Sequence, residues 1–266
     1  MSNRAKSPGL VLDGDSMFAT IDDWLTMTGR ASPEVEAGSP LAGDARWSPD
    51  LQVAHAAWSA VTQAVDHLHA LKSLVADARV VHTHAPFTLL RSATENAATA
   101  VWLLEPGARI ERVRRRLKLA FHEARESGRA HDLMAAEAVA GIRTAKERMI
   151  EIQTLATAHR IDPNDVAGRF SYGAVVRQAG AATDLGADFA SLLWQMCSGF
   201  AHGNYWASLS FLERQEFPRP SEAGVFNVRL TNDVGRVLTI TQVPFVLTIQ
   251  ALGLYERRRR SPFGAP

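Results

Sequence analysis

The chain has a single cysteine, Cys197, so no intrachain disulfide can form. A lone thiol suits a reducing compartment, and a cytoplasmic location is expected. No stretch approaches the roughly 18 uninterrupted apolar residues of a spanning helix, so no membrane segment is expected. Residues Met1 to Gly14 contain Pro8 and Gly9 and no continuous apolar core, which argues against a secretory signal. Charge of one sign is also lacking. The formal net charge is +1, so nucleic acid or an anionic membrane would have to be held by a local patch.

The familiar catalytic signatures are missing too. There is no GxxxxGK[ST] phosphate loop, no GxGxxG after a strand, and no HExxH. His122-Glu123 starts like the zinc-protease motif, but Glu126 stands where the second histidine belongs. No GxSxG elbow and no ExxH pair of the di-iron bundles occurs. No cofactor is expected.

What is present is an ordinary globular balance. Apolar residues make up 46% and charged residues 21% of 266 positions, enough to bury a substantial core. Residues 1–47 are rich in Gly, Pro, Ser and Asp and read as a flexible arm. Inside it Phe18, Ile21, Trp24 and Leu25 have helical spacing, which predicts a short docking helix over Met17–Met27. A helical domain is expected over residues 48–260.

Ser48-Pro49 reads as a helix cap and first turn, opening a helix over 49–78. Pro86 opens a second, nearly apolar helix that stops at Pro106-Gly107. A third is expected over 108–127 and a fourth over 132–158, with Ile142, Met149, Ile152 and Leu155 inward. A short helix is expected at 172–178 and a longer one over 184–209. Phe217 to Gly224 reads as a loop. Val225–Leu230 and Val237–Ile240 read as the two strands of a small hairpin, followed by a last helix over 242–260 with Pro244 in its first turn. The fold class is therefore all-α: a bundle of five or six major helices with a small β-hairpin before the last.

The histidine pairs do not make a metal site. His67 and His69 point to nearly opposite sides of a helix. His82 and His84 would share a face in an extended break, but two ligands fall short of the usual three or four. The basic runs at Arg112 and Arg114–Arg116, and at Arg257–Arg260, could touch phosphate. Interspersed glutamates and a helix C-terminus explain them as solvated faces, so nucleic-acid binding is not favoured.

One constellation stands out. Arg91 and Glu95 are four apart on the apolar second helix and stack on one face. Trp194, Ser198 and His202 form an i, i+4, i+8 stripe near the other central segment, with Tyr205 beyond it. Gly199 and Gly203 remove side chains beside that stripe, allowing close approach. The candidate cluster is Arg91, Glu95, Ser198, His202 and Tyr205, with the Glu95 carboxylate expected near the His202 imidazole and Arg91 beside both. A structural reading covers the same residues: an intrahelical ion pair and a core histidine that fix helix register. Cys197 reads as a small buried apolar group rather than a nucleophile.

At Arg91-Ser92-Ala93-Thr94-Glu95 and Cys197-Ser198-Gly199-Phe200-Ala201-His202-Gly203 the sequence resembles bacterial all-helical proteins related to the HEPN fold. The resemblance covers residues 50–255 and implies an α-helical bundle, often a homodimer. In active HEPN ribonucleases an arginine precedes a histidine with four to six residues between them, and the pair cleaves RNA at the dimer interface. Here Gln195, Met196 and Cys197 hold the matching positions before His202. A non-catalytic binding or regulatory module is therefore expected. The alternative is a ribonuclease with His202 as acid–base and Arg91 stabilising phosphate charge.

Overall fold

The computed structural model describes residues 13–135, 141–218 and 226–262. Among these are eleven α-helices: α1 (Gly14–Thr28), α2 (Pro40–Trp47), α3 (Val53–Lys72), α4 (Ala85–Leu104), α5 (Arg109–His131), α6 (Ala145–Ala158), α7 (Pro163–Ala167), α8 (Tyr172–Ala181), α9 (Ala187–Ala201), α10 (Tyr205–Phe211) and α11 (Val234–Arg259). A π-helical turn, Ser73–Asp77, continues α3. Strands β1 (Glu213–Pro218) and β2 (Phe226–Thr231) pair antiparallel just before α11, with Glu213 opposite Thr231.

Helix α4 is the centre of the fold. Pro86 fits its first turn, where an N–H is not needed. Phe87, Leu90, Ala93, Ala97, Ala100, Val101, Leu103 and Leu104 are all fully buried. It packs against α3, α8, α9 and α11. A second, smaller core joins α5, α6 and α7 through Val113, Leu117, Ala120, Ile152, Ala156 and Val166.

Several boundaries differ from the sequence reading, each for a physical reason. Residues 13–47 contain α2 as well as α1, and Met17, Ile21, Trp24 and Leu41 are buried in the main core. Ser39 caps α2 by accepting from the Ala42 N–H, and Asp44 inside α2 is fully buried. The expected irregular segment over residues 1–12 lies outside the described residues. Ser48 closes α2, and α3 starts only at Val53. The expected fourth helix is split: α5 runs on to His131, 136–140 lie outside the described residues, and a Thr144–Glu147 capping box starts α6. Ile142 precedes that cap and is exposed.

The hairpin also moves. β2 matches the expected first strand, but its partner lies upstream, at Glu213–Pro218, and Val237–Ile240 is helical. Asp233 accepts from the Arg236 N–H and so starts α11 eight residues early, which places Pro244 inside the helix. The Thr248 hydroxyl donates to the Pro244 carbonyl. The part of the expected loop over 219–224 lies outside the described residues. Helix α11 is long and apolar enough by length and composition alone to cross a membrane, although polar residues interrupt it, and about half of its apolar stretch is buried within the fold, as in a core helix.

The carboxyl end of α4 is held by arginines. Arg258 of α11 donates to the Leu104, Glu105 and Pro106 carbonyls. Arg112 donates to the Pro106 and Gly107 carbonyls and grips Asp44. These bonds satisfy acceptors that a helix end leaves open.

Candidate functional site

Arg91 and Glu95 lie on one face of α4, as their spacing dictates, with Arg91 Nε 3.0 Å from Glu95 Oε1. Trp194 of α9 donates its indole N–H to the same oxygen at 2.9 Å. One carboxylate oxygen therefore fixes both the guanidinium and the indole. Gly173 of α8 backs the indole: a Cβ there would sit 2.9 Å from the Trp194 ring.

His202 is the C-cap of α9 and is exposed. The expected helix over 184–209 breaks here. Asn204 N–H reaches back to the Gly199 carbonyl at 2.8 Å and Gly203 N–H to Phe200, with Gly203 at φ +66°. This is a Schellman closure with glycine in the left-handed position. The chain then turns into α10. Gly199 serves that turn, since a Cβ there would meet Ala207 Cβ at 2.7 Å and the Trp206 ring at 2.9 Å.

Arg91 and His202 meet across the two helices, Nη1 to Nε2 at 3.4 Å. Guanidinium can only donate, so this contact calls for a lone pair on Nε2 and the ring proton on Nδ1. The order is thus Trp194–Glu95–Arg91–His202, with Arg91 interposed between the carboxylate and the imidazole. The cluster opens to solvent at its histidine end rather than lying sealed in the core. Ser198 is half-buried on α9. Tyr205 is 84% exposed and stands at the start of α10, away from the expected shell.

Tyr172 and His122 were not assigned to the site from the sequence. Tyr172 of α8 has its phenol pushed above the ordinary range by burial, with the charges of Glu95, Glu123 and Glu126 adding to it. Phe170 stacks on His122 at 4.7 Å, and burial pushes that imidazole below its usual value. The Trp194 stripe was legible as i, i+4 spacing; the approach of α8 was not. Cys197 is buried on α9, and burial pushes its thiol up to about 12.

Most arginines of the basic runs pair with groups of this chain, while Arg257 is exposed. Arg112 is 2% exposed and pairs with Asp44, so it is no part of a solvated face. Arg114 and Arg115 bind Glu111, and Arg116 faces Glu123. Arg259 and Arg260 bind Glu256, while Arg258 holds α4. Asn232 Nδ2 donates to the His82 carbonyl and the His84 ring lies near Phe200.

Exposed apolar side chains stand along α9 and on α10. Phe189, Leu192, Tyr205, Trp206 and Leu209 are between 42% and 84% exposed. Trp206 rests on Gly199, and Leu192 lies two turns earlier on the same side of α9. The break at Gly203 turns α10 back onto α9 and leaves that side of α9 uncovered beyond Gly199. No protein-family model, curated protein or solved structure matches the chain.

Proposed function

We propose that this chain is a non-catalytic, HEPN-like binding module that works as a homodimer through the α9–α10 face. The observation that carries the reading is the exposure of five apolar side chains on α9 and α10: Phe189, Leu192, Tyr205, Trp206 and Leu209. Soluble monomers rarely leave a large contiguous apolar patch open to water, and such patches mark interaction sites. The Trp and Tyr among them are side-chain types enriched at the anchoring points of interfaces. The Arg91–Glu95–Trp194 lattice stiffens α9 against α4 behind this face. Sedimentation velocity tests the reading. Wild type is expected to sediment as a dimer and Trp206→Glu as a folded monomer. A wild-type monomer across the concentration range would defeat it.

A ribonuclease is the second reading, and one contact favours it: an exposed histidine 3.4 Å from an arginine can pair proton transfer with phosphate stabilisation. Against it, Arg91 occupies the Nε2 lone pair and is itself held by Glu95. The purified protein is expected to leave an RNA panel intact. Cleavage that disappears in His202→Ala and Arg91→Ala would make this the preferred function.

A further inference from the structure

The second core carries a groove that the α9–α10 reading leaves unused. Helix α6 folds back along α5, with Gly128 packed so closely on Ala145 that a Cβ would lie 2.6 Å from it. Between these helices and the Pro49–Leu51 segment a groove of about 690 Å³ opens to solvent. That volume lies in the range of small-molecule sites. Its apolar lining comes from Leu51, Ala120, Ala124, Ile152, Leu155 and Ala158.

The charges along the groove are unequal in their pairing. Arg143 is bound to Glu151, and Glu123 faces Arg116 at 3.4 Å. Asp50 sits on the exposed rim beside Leu51. Arg148 differs from Arg143, the other arginine that lines the groove. Its Nη2 donates to the neutral Ser127 hydroxyl, its Nε is buried with no hydrogen-bond partner, and no carboxylate pairs with it among the described residues. A guanidinium half-withdrawn from water, with no carboxylate within ion-pair distance among the described residues, is matched by a ligand that brings one.

The groove also has a direction. Arg148 stands toward one end of α6, while Leu155, Ala158 and Leu51 line the other. Arg148 and Ala158 are ten residues apart on one helix, about 15 Å, which leaves room for an extended ten-carbon chain together with its head group. We infer that the α5–α6 groove binds a medium-chain carboxylate, its head on Arg148 and its tail over Leu155 toward Leu51. Arg148 sets the head-group preference through a charge-assisted pair, and the apolar lining sets the chain-length preference. The site is separate from Arg91–His202 and does not depend on that cluster's role.

Titration calorimetry with decanoate, octanoate and decylammonium tests this on the full chain. One saturable site for decanoate is expected. Losing two methylenes should weaken octanoate about tenfold, from the usual gain per buried methylene. Decylammonium, with the same tail and the opposite head, should not saturate. Arg148→Met should weaken decanoate at least about tenfold, while Arg148→Lys keeps most of the binding. Leu155→Trp, which fills the groove from a half-buried position, should abolish it and gives the same answer if Arg148→Met does not fold. Absence of a saturable decanoate site overturns the inference. So does decanoate binding that is unchanged in both Arg148→Met and Leu155→Trp. Equal binding of decylammonium would overturn the role given to Arg148.

Discussion

Asp44 grips Arg112 with both carboxylate oxygens, each 2.7 Å from a guanidinium nitrogen, and neither side chain reaches solvent by more than 2%. The pair joins α2 to α5, and Arg112 extends the link to the carbonyls after α4. Removing one member strands the other in a dry site, which costs about 3–5 kcal/mol. Asp44→Ala should therefore lower the free energy of urea unfolding by that order. A loss below about 1 kcal/mol would mean that water reaches Arg112.

Glu95 should control the geometry of its neighbours more than the global stability. Its Oε1 holds Arg91 and Trp194 together. Trp194→Phe removes one hydrogen bond to a charged acceptor and should cost about 1–2 kcal/mol. Glu95→Gln should leave the fold intact and shift the Trp194 fluorescence and indole N–H resonance. Unchanged indole signals would show that the bond is not made in solution.

Gly203 is required by its backbone. With φ at +66° and nothing within 4 Å of a built Cβ, the obstacle to a side chain is conformational rather than steric. Gly203→Ala should cost about 1–2 kcal/mol, and Gly203→Asn less, because asparagine tolerates the left-handed region. Thermal melts of the two variants give the comparison; equal losses would contradict the assignment.

Cys197 predicts a pH dependence. Its folded thiol is raised to about 12 from 9.0. In the unfolded chain the thiolate forms first, so the unfolded state is favoured as pH rises from 9 toward 12. Stability is fully present below pH 9 and falls above it, by up to about 1.4 kcal/mol per pH unit from this group. Tyr172 and Tyr255 are raised in the same direction, chiefly by burial. Denaturation measured from pH 8 to 11 should show the decline, shallower in Cys197→Ala. A slope that is identical in the variant would remove the thiol from the account.

The all-α character and the central helix were legible because periodicity survives whatever packs against it. The run from Leu89 to Leu104 could be nothing but a buried helix. The Arg91–Glu95 stack followed from the i, i+4 rule alone. Three-dimensional return contacts were not legible. The role of Arg112 depends on Asp44, 68 residues earlier. The hairpin went astray because the strand propensity of Val237–Ile240 was overridden by the Asp233 cap and by packing of α11 on α4. At His202 a local signal was misread. Gly203 after an apolar helix marks a stop, and treating it as a cleared helix face carried α9 past its end and placed Tyr205 in the cluster.

Arg258 and Arg259 act at a distance in the chain that has a temporal side. Arg258 holds the end of α4, 152 to 154 residues upstream, and Arg259 donates to the Glu34 carbonyl, 225 residues upstream. On a ribosome that releases the chain from its amino end, α4 emerges long before its capping arginines exist. Until residues 258 and 259 leave the exit tunnel, the last carbonyls of the central helix must stay hydrated and the segment at Glu34 unfastened. In the nascent chain the carboxyl end of α4 therefore waits for α11 before its carbonyls find these partners.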